Sequence, residues 1–168
     1  MDRSDEIIID GDLQTIFKLG SEIENWPDLL PHYRSVTILQ ERGNRYMAEM
    51  KASRSGIPVS WACLQERDPS IPRIFFRHIG GFTKGMEVFW TFDEREDGTV
   101  AVRISHDFRK GWPVDAFDRF VSDTIVGDFF VGNIAGKTLN TIKMIAEDER
   151  QRSRQEQDSC AKAAGTAS

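Results

Sequence analysis

The most constraining feature of this sequence is a change in its hydrophobic period. Between residues 34 and 110, apolar and polar side chains alternate with period two, and turn residues such as Gly43 and Gly98 interrupt the alternation at regular intervals. This pattern predicts strands joined by hairpins. The six predicted strands are residues 34–42, 45–53, 57–67, 73–79, 84–94 and 99–110. After Pro113 the period becomes helical, which predicts one long helix ending near Asp148.

The segment before these strands predicts one more strand and two short helices. Residues 7–9 form a β-branched isoleucine run that is typical of a strand. Asp12 stands where a capping residue would begin a helix, because helical apolar spacing follows it. A second short helix or loop covers residues 22–30 and ends at Pro31. The element order predicts an α+β fold with a seven-stranded antiparallel sheet and a long C-terminal helix.

Length and composition predict one soluble domain. The chain has 168 residues, of which 39% are hydrophobic and 29% are charged, and this fits a single core. We place the domain at residues 1–150. Residues 151–168 are charged, then small and polar, without periodicity, and we expect them to form a disordered polar tail.

Charge and cysteine usage narrow the classes of partner and compartment. The net charge is -5 and no block of Lys or Arg is present, which argues against nucleic acid or an anionic membrane surface as the main partner. No apolar run approaches the roughly 20 residues of a membrane span. Cys63 and Cys160 lie far apart, and residues 1–5 are polar, unlike a signal peptide. We therefore expect a cytoplasmic protein with two free thiols.

The sequence predicts no metal and no cofactor. The three histidines His32, His78 and His106 lack the spacing of metal ligands, and no cysteine pair supports a zinc site. Residues 132–138 are similar to a phosphate-binding loop, but only three residues separate the glycines and the segment belongs to the predicted long helix.

Three glycines, Gly127, Gly132 and Gly136, interrupt the predicted long helix. Each costs about 1 kcal/mol relative to alanine in a helix interior. They either let the helix approach the sheet closely or leave room beneath it for a ligand, and both interpretations stay open.

Aromatic residues are concentrated in the middle and late chain, where ten of the eleven phenylalanines lie between Phe75 and Phe130. Such a concentration predicts either a thick core or a ligand cavity. On the strand 57–67, one face combines Trp61 with the polar tips of Gln65 and Arg67, as a cavity wall requires. Cys63 shares this face and is interpreted as a small buried hydrophobe, because nothing assigns it a base partner.

Two neighbouring strands are apolar on both faces. Met86 and Trp90 alternate on one face of the strand 84–94, a pattern that usually indicates core, while Phe75 and Phe89 are apolar on the opposite face. An antiparallel sheet solvated on one side should not be apolar on both. Either the second face meets another molecule, for example in a homodimer, or one row lines a cavity.

His106 is the candidate reactive group. It shares a strand face with Ile104 and Phe108, so it should point into an apolar row. Partial desolvation there favours a neutral imidazole that can act as a base near neutral pH. Alternatively, His106 only donates a hydrogen bond to a backbone carbonyl inside the core.

Three segments together resemble a known family. They are residues 24–31 with 36–39, residues 81–92, and residues 104–108. The chain resembles the START/Bet v 1-like (SRPBCC) superfamily and, within it, the polyketide cyclase/dehydrase group. The strand Phe89-Trp90-Thr91-Phe92 looks more like bacterial aromatic-polyketide aromatase/cyclases than like the quinone-binding branch. This resemblance implies a helix-grip fold, in which a curved seven-stranded antiparallel sheet wraps around the long C-terminal helix.

The resemblance also implies a chemistry. Such enzymes fold a poly-β-ketone in the cavity and promote aldol ring closure and dehydration, with a histidine, an arginine and a helix carboxylate handling protons. These positions match His106, Gln65 and Thr138 here, so two of the three groups are replaced. The resemblance implies a small hydrophobic ligand and an acyl carrier protein as partners. The expected ligand-binding residues are Trp26, Trp61, Cys63, Arg67, Met86, Trp90, Phe108 and Ile134.

Two functions from different classes follow. The first is a polyketide cyclase/aromatase with His106 as acid and base and with Gln65 and Thr138 orienting carbonyls. The second is a non-catalytic carrier of a quinone, lipid or other hydrophobic metabolite. The replaced arginine and carboxylate favour the carrier, whereas the matching aromatic and histidine strands favour the cyclase, which we prefer.

Overall fold

Seven antiparallel strands form one sheet. A computed structural model describes residues 2–54, 56–81, 83–108 and 132–165. Its strands are β1 Asp2–Ile9, β2 Tyr33–Arg42, β3 Arg45–Arg54, β4 Ile57–Asp68, β5 Arg73–Gly81, β6 Met86–Glu94 and β7 Val100–Phe108. The spatial order is β1-β7-β6-β5-β4-β3-β2, so five hairpins are extended by β1 on the β7 side. The predicted seven-stranded antiparallel sheet is confirmed.

Helices lie before the second strand and at the C-terminal end. They are α1 Leu13–Ser21, a 3-10 turn Ile23–Asn25, α2 Trp26–Leu29 and the long helix α3 Gly132–Gly165. The predicted cap is confirmed, because the Thr15 backbone N–H donates a hydrogen bond of 2.8 Å to the Asp12 carboxylate. The part of the predicted long helix at residues 114–131 lies outside the described residues.

Strand β1 is longer than the isoleucine run predicted. It begins at Asp2, and its polar first half pairs with β7, for example Asp5 with Ile104, while Ile9 pairs with Val100. The ladder satisfies backbone N–H and C=O groups whatever the side chains are. Strand length here therefore follows from the partner strand and not from local hydrophobicity.

Helix α3 continues to Gly165, so the prediction of a disordered tail is wrong for residues 151–165. Residues 151–162 are exposed, and they lack the apolar stripe by which helices are recognised in a sequence. They are rich in Arg, Gln, Glu, Lys and Ala, which favour helix intrinsically. An ion pair between Arg152 and Asp148 at 2.5 Å joins successive turns.

The core lies between the concave face of the sheet and the helices. Helix α1 approaches closely at Gly20, where an added Cβ would lie 3.2 Å from Trp90 Cζ3. Ile142 and Ala146 of α3 are 1% exposed. An added Cβ at Gly136 would meet no described atom within 4 Å, so close approach does not explain this glycine. Gly127 lies outside the described residues.

The outer face of the sheet carries a small apolar pair. The rings of Phe75 and Phe89 lie 4.8 Å apart, and Arg77 forms an ion pair of 2.7 Å with Glu87 beside them. These side chains cover one another within the sheet, and the homodimer stays a prediction. No described helix is both long and apolar enough to cross a membrane.

Candidate functional site

A cavity of about 70 Å³ lies between the concave sheet face and the start of α3. Its described walls come from α2, from strands β2 to β7 and from α3. The lining residues are Trp26, Tyr33, Met50, Trp61, Phe76, His78, Met86, Val88, Trp90, Ile104, His106, Ile134, Ala135 and Thr138. Most of these side chains are aromatic or aliphatic, which is typical of a site for a hydrophobic ligand.

Seven of the residues singled out in the sequence line this cavity. They are Trp26, Trp61, Met86, Trp90, His106, Ile134 and Thr138. The alternation predicted for β7 places His106 on the buried face, where it is 6% exposed and shares the cavity wall with Ile104. The structure brings these residues together, and their functional roles stay predictions.

Trp26 is held in the aromatic wall by a hydrogen bond and by ring contacts. Its indole N–H donates a hydrogen bond of 2.9 Å to the Leu19 carbonyl. Its ring lies 4.8 Å from the ring of Tyr33 and 6.1 Å from that of Trp90. Aromatic rings held at such distances form a rigid surface with little rotamer freedom. The wall is therefore preorganised for a flat or folded apolar ligand.

Gln65 lies outside the cavity, contrary to the expectation that it orients a ligand carbonyl. Its amide nitrogen donates to the Ser21 carbonyl at 2.9 Å, and its amide oxygen accepts from Arg67 Nε at 2.9 Å. The side chain is 1% exposed and ties β4 to the end of α1. Each end of the amide already bonds within the fold, and Gln65 is not among the described lining residues.

The expected ligand contacts of Cys63 and Arg67 are likewise absent from the described lining. Burial raises the pKa of the Cys63 thiol to about 12, and its sulfur lies 3.5 Å from Met50 Sδ. Cys63 is thus a buried neutral thiol behind a cavity residue. The Arg67 guanidinium forms an ion pair of 2.6 Å with Glu24 and lies 3.8 Å from the ring centre of Tyr46. Phe108 ends β7, and its side chain lies outside the described part.

A buried polar cluster at the cavity wall, in which His32 lies next to the lining residues Tyr33 and Thr138, was not expected from the sequence. His32 Nε2 lies 2.9 Å from Thr138 Oγ1, and the Tyr33 hydroxyl also forms a hydrogen bond with Thr138. Burial, with a smaller contribution from Lys137, lowers the pKa of His32 to about 4. Burial also raises the pKa of Tyr33. All three side chains are therefore neutral near neutral pH.

A second histidine in the cavity was also missed. His78 lies on β5 and faces the same cavity as His106, two strands away on β7. Its Nδ1 atom lies 2.6 Å from Thr83 Oγ1. Burial, and secondarily the charge of His106, lowers the pKa of His78 to about 3. The signal was present in the sequence, because His78 has the same strand phase as Ile74 and Phe76.

A β-bulge lies next to His78. Cys63 pairs with His78 and Ala62 pairs with Gly80, so Ile79 is the extra residue of β5. Gly81 follows with a φ of 80°, and an added Cβ there would lie 2.6 Å from the Ser60 carbonyl oxygen. Bulges bend a strand and re-aim the neighbouring side chain. This one follows His78 directly and ends the alternating row of Ile74, Phe76 and His78.

No lining residue in the described part is a lysine, arginine, aspartate or glutamate. Besides the indole N–H groups of three tryptophans, the polar side chains are two histidines, a tyrosine and a threonine. Such a set can form hydrogen bonds with a neutral polar ligand and can move a proton through an imidazole. Within the same residues, no group of three His, Cys, Asp or Glu side chains could hold a metal ion.

Comparisons with known proteins agree with this architecture. The family described as "Polyketide cyclase / dehydrase and lipid transport" matches residues 9–129. A Streptomyces halstedii protein named "Putative polyketide cyclase" is 24% identical over 98 residues, which are 56% of this chain and 90% of that protein.

Two solved structures share the fold. The Zhui aromatase/cyclase from Streptomyces sp. R1128 has a TM-score of 0.77 at 15% identity and covers 88% of this chain and 93% of its own. A START superfamily protein from Mycobacterium smegmatis has a TM-score of 0.66 at 15% identity, covering 88% and 97%. At these identities the likeness establishes the helix-grip fold.

Proposed function

Because the chain belongs to the polyketide cyclase/dehydrase and lipid transport family, we propose that it binds a poly-ketone or aromatic polyketide in the cavity and promotes aldol cyclisation and dehydration. The observation that carries this proposal is the position of His106. Its imidazole is 6% exposed and faces a cavity whose other walls are mainly aromatic and aliphatic. We further expect an acyl carrier protein to deliver the reactive chain.

His106 would serve as base and then as acid. As base, its imidazole takes a proton from a carbon flanked by two carbonyls, which leaves an enolate. The enolate carbon attacks a second carbonyl of the same chain, a new C–C bond forms, and the resulting alkoxide takes the proton back from the imidazolium. The neutral imidazole then removes the second proton from the same carbon and passes it to the hydroxyl, which leaves as water while a C=C bond forms. The imidazole is neutral again at the end of the sequence.

The aromatic walls would select one folded shape of the chain. Trp26 and Trp90 form one side of the cavity, and Thr138 lies on the helix side. Holding the reacting carbons together replaces a search among many chain conformations, and exclusion of water limits side reactions. Thr138 would orient a ligand oxygen while His32 and Tyr33 hold its hydroxyl in place.

The cavity must widen to accept such a ligand. The volume of the cavity, about 70 Å³, is well below the roughly 300–1,000 Å³ of typical small-molecule sites. Met50 and Met86 both line it, and methionine side chains are unbranched and adapt readily to a new shape. We expect these two side chains to rotate when a ligand binds.

Variants of His106 test the catalytic role. His106→Ala and His106→Gln would be supplied with a poly-β-ketone made in situ by a bacterial ketosynthase, and the products would be separated by chromatography. We expect the wild-type ring pattern to be replaced by spontaneous products in both variants, because glutamine cannot take up the proton. Leu39→Ala is a matched control on the surface, since Leu39 is 56% exposed. An unchanged product distribution in both His106 variants would contradict the catalytic proposal.

A carrier of hydrophobic metabolites is the second candidate. It is favoured by the lack of a charged side chain among the described lining residues and by the engagement of Gln65 with Ser21 and Arg67. Native mass spectrometry of the purified protein distinguishes the two functions when combined with the His106 variants. If the protein is a carrier, His106→Ala should retain the bound hydrophobic molecule. The wild-type protein should then give the same product distribution as a reaction without the protein.

A further inference from the structure

His78 and Thr83 form an isolated buried pair at the cavity. His78 is 8% exposed and Thr83 is 0% exposed, and Nδ1 of the histidine lies 2.6 Å from Oγ1 of the threonine. Among the described residues, this is the only hydrogen bond of either side chain. The bond therefore determines which ring nitrogen carries the proton.

The threonine hydroxyl settles the direction of this hydrogen bond. If Nδ1 donated to Thr83, the hydroxyl hydrogen would remain buried without an acceptor among the described residues, since Thr83 is 0% exposed. If the hydroxyl donates to Nδ1, the remaining donor is the Nε2–H of a side chain that lines the cavity, where water or a ligand can accept its hydrogen. A donor enclosed by the fold is the costlier of the two, so Thr83 donates and Nδ1 accepts. The proton of the neutral ring then lies on Nε2, on the other side of the imidazole.

The ring of His78 is held rigidly in this orientation. It stacks on Trp61 with a centroid separation of 5.7 Å and an interplanar angle of 4°. Its backbone carbonyl accepts a hydrogen bond of 2.8 Å from the Gly85 N–H, and the bulge at Ile79 follows directly. Because burial lowers the pKa of His78 to about 3, the imidazole stays neutral across the working pH range.

We propose that His78 is a binding residue of the cavity and donates its Nε2 hydrogen to a ketone oxygen of the ligand. This inference rests on the proposed function, because it assumes a ligand that carries carbonyl groups. A neutral donor suits a carbonyl oxygen, which only accepts hydrogen bonds. The same bond strengthens as negative charge develops on that oxygen during enolate formation. His106 and His78 would thus divide the work, one moving the proton and the other holding the oxygen.

Two matched probes test the binding role. 2-Acetylnaphthalene and 2-ethylnaphthalene have nearly the same shape, but only the first has a ketone oxygen, and calorimetric titration gives both affinities. We expect His78→Phe, which keeps a ring to stack on Trp61, to weaken binding of the ketone about tenfold and to leave the hydrocarbon unchanged. His78→Gln retains an N–H near the Nε2 position and should restore most of the ketone affinity. Equal weakening of both probes, or a wild-type protein that binds them equally or not at all, would overturn the inference.

The tautomer can be measured without a ligand or a variant. Nitrogen-15 NMR of the full chain should give a pyrrole-type signal for His78 Nε2 and a pyridine-type signal for Nδ1. Thr83→Val should remove this preference, whereas Thr83→Ser should keep it. The reverse assignment in the wild type would overturn the inference. These results are independent of catalysis, because an unchanged product pattern in His106→Ala would reject the cyclase and leave the ketone selectivity of His78 standing.

Discussion

The Nε2 atom of His32 lies 2.9 Å from Oγ1 of Thr138 and joins the residue before β2 to helix α3 across 106 positions of the sequence. Thr138→Val keeps the shape of the side chain and removes the hydroxyl that His32 and Tyr33 share. We expect it to lower the free energy of unfolding by about 1–3 kcal/mol, because buried polar groups are left unpaired. Urea unfolding measures this change. Thr141→Val is the matched control on the same helix, since Thr141 is partly exposed and, among the described residues, forms a side-chain hydrogen bond only to the Lys137 carbonyl. Equal losses in the two variants would contradict the expectation.

Stability should fall as the pH drops below about 6.5. Burial lowers the pKa of His32 to about 4 and that of His78 to about 3, so both stay neutral in the folded protein while the unfolded chain takes up protons. The free energy of unfolding is therefore highest above pH 6.5 and decreases towards pH 4, by about 1 kcal/mol or more for each histidine at pH 5. Urea unfolding at pH 7 and pH 5 measures the difference. The difference should shrink in His32→Asn, and an unaltered pH dependence would contradict the assignment.

Two glycine-to-alanine changes should act in opposite directions. An alanine at Gly20 would place Cβ 3.2 Å from Trp90 Cζ3 and 3.4 Å from Ile74 Cδ1, so we expect Gly20→Ala to destabilise the protein by about 1–3 kcal/mol. At Gly136 no described atom lies within 4 Å of the new Cβ. Gly136→Ala should therefore stabilise α3 by up to about 1 kcal/mol. Thermal unfolding measures both changes in stability. Stabilisation by Gly20→Ala would contradict the expected steric clash with Trp90 and Ile74.

Gln65→Leu separates a structural role from a ligand-binding role. The leucine removes the hydrogen bonds to Ser21 and Arg67, and we expect a loss of about 1–3 kcal/mol in unfolding free energy. The affinity for 2-acetylnaphthalene should stay at the wild-type value, because Gln65 lies outside the described lining. Calorimetric titration measures this affinity. A selective loss of affinity for 2-acetylnaphthalene would contradict this expectation and would show that Gln65 contacts the ligand.

The exposed end of α3 should contribute little to stability. A variant truncated after Arg150 loses residues 151–168, of which 151–162 are exposed. It also loses the surface ion pair of 3.5 Å between Arg154 and Asp10. We expect less helical circular dichroism but a change in unfolding free energy below about 1 kcal/mol. Arg150→Ala is the contrasting variant, because its guanidinium donates to the carbonyls of Gly11 and Gly98. That change should cost more than the truncation, and the opposite ranking in urea unfolding would contradict the expectation.

The sheet was predictable because its signal is local. Alternation and turn residues define β2 to β7 without knowledge of neighbours, and the phase of β7 placed His106 on the buried face. The polar half of β1 depends on its pairing with β7, and residues 151–165 of α3 depend on intrinsic helix preference. Neither has a hydrophobic pattern, and for this reason both were missed.

The alternation of side chains along each strand predicted which residues face the cavity side of the sheet, but not which of them reach the cavity. Trp61 and Gln65 share a face of β4, yet Trp61 lines the cavity and Gln65 is covered by the end of α1. Phase gives the side of the sheet but not the distance along the strand at which a cavity ends. The contact of His32 with Thr138 is tertiary and has no sequence signal. His78 had the correct phase, but its neighbours Ile74 and Phe76 made the row look like ordinary core.

Because β1 pairs with β7, it cannot join the sheet during translation until β7 has been synthesised. Residues 7–9 are made before their partners, residues 100–102, which emerge only after β2 to β6 have been synthesised. The hairpins from β2 to β6 can form one after another as they leave the exit tunnel, since each pairs with the strand made just before it. The isoleucine run stays unpaired in the meantime. The nascent chain therefore carries an unpaired, aggregation-prone strand until translation has passed β7.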